Sequence, residues 1–174
     1  MNAEIIAVGT ELLLGDILNT NAQFISKELS ALGIDVFYQS VIGDNPERLE
    51  NTLRTAIKRA DIVITTGGLG PTCDDVTKEA GAKLLSLKLI EDKETLDMIT
   101  EFFKRLNRKM TDNNKKQALF PEGAVIFRND NGTAPGFAVE KDGKTLIMLP
   151  GPPIEMEPMF INLVKPYLMR NSNE

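Results

Sequence analysis

The chain contains no histidine and no tryptophan, and Cys73 is its single cysteine. Without histidine, neither a Ser-His-Asp nor a Cys-His nucleophile system can be assembled, and His-ligated zinc sites are excluded as well. One cysteine cannot form an internal disulfide, which is typical of a reducing compartment. Any catalysis therefore has to come from carboxylates, lysines, backbone amides and a hard cation.

Long apolar runs and an excess of basic charge are also missing. No apolar run approaches the roughly 20 residues that a membrane helix requires, and the first residues show no basic segment followed by a long apolar core. The chain has 20 Lys and Arg against 25 Asp and Glu, which argues against a general nucleic-acid binder. We therefore expect a cytoplasmic protein that binds neither nucleic acid nor membrane, and any phosphate site in it must be local.

The sequence does contain a regular alternation of two kinds of segment. Runs rich in β-branched residues at 4–8, 35–42 and 61–66 alternate with stretches at 21–32 and 46–59, in which apolar residues recur every three or four positions. This order predicts an α/β fold with a parallel sheet. The rest of the pattern predicts helices at 75–85, 93–107 and 154–169, a polar stretch at 109–117, and strands at 124–127, 136–140 and 145–149, with a hairpin turn at Asp142-Gly143.

A glycine-rich turn, Gly67-Gly68-Leu69-Gly70-Pro71-Thr72, follows the third predicted strand. Glycines let backbone N–H groups approach an anion, and a helix that starts at Asp75 would add its dipole. The turn is not a P-loop, because the only Gly-Lys-Thr has Ala138 where the first glycine belongs; nor is it a dinucleotide fingerprint, because Cys73 replaces the third glycine. It predicts a phosphate site, with a purely structural turn as the alternative.

Acidic residues follow the carboxyl ends of all three of these strands, with Glu11 after the first, Asp44 after the second, and Asp74 and Asp75 after the third. In an open parallel sheet, ligands bind at this edge. Carboxylates repel a phosphate unless a cation lies between them. Mg²⁺ bound by one or two carboxylates and by substrate phosphates would remove this repulsion. Asp75, Asp44 and Glu11 are therefore candidate metal ligands, and Asp74 is a candidate cap or water-positioning base. Each acid taken singly could equally be a helix cap.

Five segments carry a family resemblance: GTELLLGDILNTN from Gly9, DIVITTGGLGPTCDDVTKEA from Asp61, NKKQALFPEG from Asn114, GTAPGF from Gly132 and LPGPPIEMEPMF from Leu149. They resemble the N-terminal domain of the competence/damage-inducible CinA family, which is similar to the molybdopterin-binding domains of molybdenum cofactor biosynthesis proteins. The resemblance covers essentially the whole chain. It implies a single domain over residues 1–174, folded as a three-layer α/β/α sandwich with a mostly parallel sheet.

The resemblance also implies an activity, the metal-dependent hydrolysis of ADP-ribose to AMP and ribose 5-phosphate. The implied cofactor is a divalent metal, Mg²⁺, Mn²⁺ or Co²⁺, with K⁺ as an accompanying ion, and analogy with relatives implies a homo-oligomer. In longer family members a second, amidase domain acts on nicotinamide mononucleotide; that activity is not expected of these 174 residues. A molybdopterin-binding or adenylating module and a non-catalytic regulatory domain are the alternatives.

Site residues follow from the matching motifs. The expected catalytic residues are Asp74, Asp75 and Glu11, and the expected metal ligands are Asp44 and Asp75. The residues expected to bind substrate are Gly9, Thr10, Gly67, Gly68, Gly70, Pro71, Thr72, Thr77, Lys115, Thr133, Pro150 and Gly151.

Overall fold

A computed structural model describes residues 1–171, and a six-stranded sheet lies at its centre. The strands are β1 (Asn2–Val8), β2 (Asp35–Ile42), β3 (Ile62–Thr66), β4 (Leu89–Glu91), β5 (Leu119–Pro121), β6 (Val125–Phe127), β7 (Gly136–Lys141) and β8 (Lys144–Leu149). The central sheet has the order β2-β1-β3-β8-β7-β6, and β4 and β5 form a separate antiparallel pair. Strands β2, β1, β3 and β8 run parallel, while β7 and β6 are antiparallel.

Helices connect these strands. They are α1 (Thr10–Leu14), α2 (Thr20–Ala31), α3 (Pro46–Arg59), α4 (Thr77–Leu84), α5 (Lys93–Arg105), α6 (Asp112–Lys115), α7 (Pro153–Met159) and α8 (Lys165–Asn171). A 3-10 turn, Lys116–Ala118, joins α6 to β5, and a π-helical segment, Phe160–Val164, joins α7 to α8. In the described part of the chain, no helix has the length and apolar character needed to cross a membrane.

The sheet is buried on both faces, which makes the fold three-layered. Successive side chains of a strand point to opposite faces, and the neighbours Ile5 and Ile6 of β1 are both 0% exposed. Ile5 packs in an apolar cluster with residues of α2, α7 and α8, whereas Ile6 packs in a second cluster with residues of α3 and α4. The predicted three-layer α/β/α fold with a mostly parallel sheet is therefore confirmed, and residues 172–174 of the predicted domain lie outside the described residues.

Local signals in the sequence account for several element ends. The Asn19 side chain accepts a hydrogen bond from the Ala22 N–H (3.2 Å), which caps α2, and Gly33 follows that helix with a φ of +72°. Asn45 caps α3 in the same way, directly before a proline at the first helical position. Positive φ values at Asp142 and Gly143 confirm the predicted hairpin turn between β7 and β8.

The predicted start of a helix at Asp75 is wrong, because α4 begins at Thr77. The Asp75 carboxylate instead accepts hydrogen bonds from the backbone N–H and the hydroxyl of Thr72, which forms a tight turn ahead of the helix. The N-cap residue is Val76, which has no side-chain cap, so Asp74 does not cap the helix either. The sequence also missed α1, α6, β4 and β5, which are three to five residues long and have neither a helical period nor a run of β-branched residues.

Burial of both sheet faces can be tested by truncating Ile5 and Ile6 separately. Each Ile→Ala change removes apolar contacts from a different layer, so each is expected to lower the free energy of unfolding by about 2–5 kcal/mol. Ile17→Ala is the matched control; it alters a side chain that is 51% exposed and should cost no more than about 0.5 kcal/mol. Urea denaturation measures all three variants, and a sheet with one solvated face would leave Ile5→Ala or Ile6→Ala near the control.

Candidate functional site

A cleft of about 620 Å³ lies at the carboxyl edge of the parallel strands. Its walls come from the segments that follow β1, β3 and β8 and from the start of α2, so residues far apart in sequence meet there. This is the edge at which open α/β sheets bind their ligands. The cleft is therefore where the predicted site residues are expected to meet.

Gly67 and Gly68 shape the turn above β3, and no other residue type fits their positions. Gly67 has a φ of +102°, and a Cβ there would lie 2.2 Å from the carbonyl oxygen of Val8. Gly68 has a φ of +71°, and a Cβ there would lie 2.0 Å from Oγ1 of Thr77. The Gly67 N–H also donates to the Leu149 carbonyl (3.0 Å), which holds the turn against the end of β8. Close packing thus explains this glycine pair, against the backbone of Val8 at Gly67 and against the Thr77 side chain at Gly68.

The next part of the turn offers unpaired hydrogen-bond donors to the cleft. Within residues 1–171, the backbone N–H groups of Gly68, Leu69 and Gly70 donate to no protein acceptor, although all three residues line the cleft. Successive N–H groups in such a turn form a concave site for an anion. The first N–H of α4, that of Thr77, is already bonded to the carbonyl of Gly68 (3.2 Å). None of residues 76–79 lines the cleft, so anion affinity here would come from the turn's own N–H groups and not from the helix N-terminus on which the sequence argument relied.

Two of the predicted acids are anchored in loops by neighbouring threonines. Oδ2 of Asp75 accepts hydrogen bonds from the Thr72 N–H (2.9 Å) and hydroxyl (2.5 Å). Oδ2 of Asp44 likewise accepts from the Thr10 N–H (3.1 Å) and hydroxyl (3.0 Å). In both carboxylates Oδ1 has no hydrogen-bond partner among the described residues. Each acid thus orders its own loop and keeps one oxygen available.

The other two predicted acids line the same cleft. The carboxylate of Glu11 lies against Gly9, since a Cβ on that glycine would be 2.6 Å from Oε1 of Glu11. Asp74 is exposed at the rim. In the described part of the chain, no three His, Cys, Asp or Glu side chains come together in a group that could hold a metal ion. A cation in this cleft would therefore depend on one or two carboxylates and on the ligand's own oxygens, which is the usual arrangement for Mg²⁺ beside phosphates.

The structure brings most of the predicted site residues together and leaves three away from the cleft surface. Thr10 lies beside the cleft and bonds to Asp44, and Thr77 is buried beneath Gly68. Lys115 pairs with Asp112 on α6, 3.1 Å away, and does not line the cleft. The predicted residues that line it are Gly9, Glu11, Asp44, Gly67, Gly68, Gly70, Pro71, Thr72, Asp74, Asp75, Thr133, Pro150 and Gly151.

Asn21 forms part of the cleft and was not predicted as a site residue, although it ends the motif that begins at Gly9. Its Nδ2 donates to the Thr66 hydroxyl (2.7 Å) and to the Gly151 carbonyl (2.7 Å), while the Thr66 hydroxyl donates to the Pro150 carbonyl (3.0 Å). These bonds join the first turn of α2 to the ends of β3 and β8. In the sequence, Asn21 looks like part of a helix-capping run, and its partners lie 45 and 130 residues away.

Gln117 and Glu155 also line the cleft and were missed. Glu155 accepts a hydrogen bond from Nδ2 of Asn129 (2.6 Å), which holds the carboxylate in place. Gln117 lies on the 3-10 turn before β5, directly after two lysines. Lys115 is the predicted ligand contact in this segment, so the sequence identified the segment but not the residue within it that lines the cleft.

A buried lysine supports the segment that carries Gln117. Lys78 of α4 is 5% exposed, and its Nζ donates to the carbonyls of Lys116 (3.1 Å) and Gln117 (3.3 Å). The ammonium also lies 4.6 Å from the centre of the Phe120 ring. Burial lowers the pKa of Lys78 to about 8, and the nearby charge of Glu79 opposes this shift only in part.

The lowered pKa of Lys78 predicts a pH-dependent stability. Between pH 8 and the ordinary lysine pKa of 10.5 the unfolded chain binds more protons than the folded one, so the free energy of unfolding rises with pH through this window. The rise from this group is on the order of 3 kcal/mol. Lys78→Met should flatten it in urea titrations at successive pH values, whereas Lys104→Met, at an exposed position, should leave it as in the wild type. A Lys78→Met variant that kept the full rise would contradict this assignment.

Comparison with known proteins agrees with this fold. A family model described as "Probable molybdopterin binding domain" matches residues 4–170. A competence-damage inducible protein of Clostridium kluyveri is 58% identical over 174 residues, which cover 99% of this chain and 42% of that protein. The chain thus spans less than half the length of the curated relatives it matches.

Solved structures give the same result. The CinA protein of unknown function from Thermoplasma acidophilum is 37% identical, with a TM-score of 0.86 over 95% of this chain and 96% of that one. The molybdopterin biosynthesis enzyme MoaB of Thermus thermophilus shares the fold at 20% identity, with a TM-score of 0.60 over 99% and 97% of the two chains. The chain therefore belongs to the family described as probable molybdopterin binding domains and, within it, to the competence-damage inducible (CinA) proteins.

Proposed function

We propose that the cleft binds a phosphorylated small molecule of the molybdopterin type, with its phosphate on the N–H groups of Gly68, Leu69 and Gly70. The observation that carries this proposal is a run of three N–H groups that have no acceptor among the described residues and belong to consecutive residues lining the cleft. The volume of about 620 Å³ falls in the range of small-molecule sites, roughly 300–1,000 Å³. The description of the matching family supports a pterin as the organic part of the ligand.

The charge of the cleft limits how an anion can bind. Five acidic residues line the same cleft as the donor turn, and no lysine or arginine lines it among the described residues; the acids are Glu11, Asp44, Asp74, Asp75 and Glu155. Three N–H dipoles have to hold the phosphate against this negative field, since backbone groups carry only partial charges. A cation that accompanies the ligand would relieve the repulsion, because an opposite charge between carboxylate and phosphate favours both ionised groups.

A glycine substitution in the donor turn tests the binding proposal. A Cβ at position 70 would lie 2.6 Å from Oδ2 of Asp75, so Gly70→Ala places a methyl group in the turn and displaces that carboxylate. We expect calorimetry to show affinity for molybdopterin at least about tenfold weaker than in the wild type. Gly33→Ala is the control; its φ of +72° makes alanine strained and costs stability of about 1 kcal/mol, but no atom lies within 4 Å and the affinity should not change.

Two results would contradict the binding proposal. One is a folded wild-type protein that binds neither molybdopterin nor AMP nor ADP-ribose at millimolar concentration. The other is a Gly70→Ala variant that binds the ligand as tightly as Gly33→Ala does, because the phosphate would then lie elsewhere.

A second candidate function is the metal-dependent hydrolysis of ADP-ribose, which the predicted acids of the cleft favour. Asp44 and Asp75 each keep one carboxylate oxygen without a protein partner among the described residues, so the donors present suit a divalent cation completed by ligand phosphates. Bound there, such an ion would neutralise phosphate charge and lower the pKa of a coordinated water. Glu11 or Asp74 would orient that water, and the turn at Gly68 would hold a phosphate. Binding and hydrolysis share one site, so both functions are compatible with the same geometry.

Release of AMP tests the hydrolysis proposal. The wild-type chain with ADP-ribose and Mg²⁺, Mn²⁺ or Co²⁺, with and without K⁺, is expected to yield AMP, which chromatography measures. Asp75→Asn should lower kcat by about 100-fold, the scale on which one electrostatic contact acts in a transition state. Asp35→Asn, at an exposed position where β2 begins, is the control and should keep full activity. A folded protein that releases no AMP with any of these ions would leave ligand binding as the function of the cleft.

A further inference from the structure

Gln117 is a buried polar residue whose carboxamide has no partner among the described residues. It is 2% exposed and lines the cleft. Neither its Oε1 nor its Nε2 makes a hydrogen bond within residues 1–171. Buried side-chain amides are nearly always bonded, because leaving them unpaired costs free energy. Gln117 is therefore a candidate for a ligand contact, because it lines the cleft and a ligand could supply the hydrogen bonds that its buried carboxamide lacks.

The backbone around Gln117 is held in place, which suits a recognition role. The buried ammonium of Lys78 binds the Gln117 carbonyl, and the Ala118 carbonyl accepts a hydrogen bond from the Asp92 N–H (2.8 Å). The turn is therefore fixed from two other segments of the chain. The backbone of Gln117 is therefore held by hydrogen bonds, whereas its side-chain carboxamide has no partner among the described residues.

Asn21 adds a further unpaired acceptor to the same cleft. Its Nδ2 is fully engaged by Thr66 and Gly151, whereas its Oδ1 is buried without a partner among the described residues. The hydrogen bonds of Nδ2 fix the orientation of this amide. Together, these two cleft-lining residues hold three buried polar atoms without a partner among the described residues: Oε1 and Nε2 of Gln117 and Oδ1 of Asn21. The phosphate-binding turn uses backbone donors, so these side-chain groups are left for another part of the ligand.

We infer that Gln117 recognises the heterocycle of the ligand by pairing its carboxamide with a ring edge that presents an adjacent donor and acceptor. This inference rests on the proposed function, that a phosphorylated heterocyclic molecule binds in the cleft. Adenine presents such an edge through its exocyclic amine and a ring nitrogen, and a pterin presents one through the N–H and C=O of its lactam. A carboxamide matches either edge, since it carries both a donor and an acceptor. Sugars and phosphates have no such planar edge.

The test compares wild type with Gln117→Met, which keeps the length of the side chain and removes both polar ends. Calorimetry is carried out with AMP, neopterin monophosphate and ribose 5-phosphate, the last of which has the phosphate and no ring. We expect Gln117→Met to weaken binding of AMP, neopterin monophosphate or both by at least about tenfold and to leave ribose 5-phosphate within about twofold. The ligand that loses affinity identifies the heterocycle. Because no protein hydrogen bond is lost, Tm should stay the same or rise.

A second comparison uses a ligand that lacks the ring's hydrogen-bond donor. It separates loss of this one hydrogen bond from a general loss of affinity caused by the substitution. If AMP is the ligand, purine riboside 5′-monophosphate, which lacks the exocyclic amine, should bind wild type more weakly than AMP does. The same two ligands should bind Gln117→Met with nearly equal affinity, because the amine then has no partner. Equal loss of affinity for all ligands together with a lower Tm would overturn the inference and indicate a structural role.

Two further outcomes separate this inference from the proposal on which it rests. If wild type and Gln117→Met bind the nucleotide or the pterin phosphate equally well, the cleft is a ligand site but Gln117 does not recognise the heterocycle. If wild type binds none of the phosphorylated probes while it is folded by its Tm, the proposed function fails and this inference fails with it.

Discussion

The close approach of the backbone at Gly67 and Gly68 is the constraint on which the site depends. Gly67 packs on the carbonyl of Val8 and bonds to the end of β8, so this turn joins three neighbouring strands. The carbonyl of Gly68 accepts the first N–H of α4. The N–H groups from Gly68 to Gly70 lie on residues that line the cleft and have no acceptor among the described residues. The packing accounts for the glycines, and the same turn carries the unpaired donors.

The sequence predicted the parts of this protein that have a strong local signal. The strand at Asp35–Ile42 and the helix at Pro46–Arg59 have the predicted bounds, because their periods and caps are clear. The start of α4 was misplaced by two residues, because Asp75 resembles a helix cap and in fact closes a turn on Thr72. Aspartate serves both purposes in proteins, and the sequence alone does not distinguish them.

The candidate site was predicted where it depends on strand ends and missed where it depends on tertiary contacts. Glycines and acids directly after strands are visible in the sequence, and the sheet order brings them to one edge. Asn21 reaches the cleft from the start of α2, and its hydrogen-bond partners are 45 or more residues away in sequence. Gln117 reaches it from the 3-10 turn, and the bond from Lys78 to its carbonyl spans 39 residues. Lys115 was predicted because it lies in the motif that begins at Asn114, but its charge favours an exposed position, where it pairs with Asp112. Composition limits the expected chemistry to carboxylates, lysines, backbone amides and a hard cation.

The central claim is that a ligand phosphate binds to the N–H groups of the turn after β3. Amide NMR on the ¹⁵N-labelled chain, titrated with a phosphorylated ligand, tests this claim directly, because an N–H that donates to a phosphate shifts strongly downfield. The account predicts that the largest downfield shifts belong to Gly68, Leu69 and Gly70, while Gly143, in the distant hairpin turn, does not move. If the ligand binds and these three amides stay in place while others shift, the phosphate lies elsewhere and the claim is wrong.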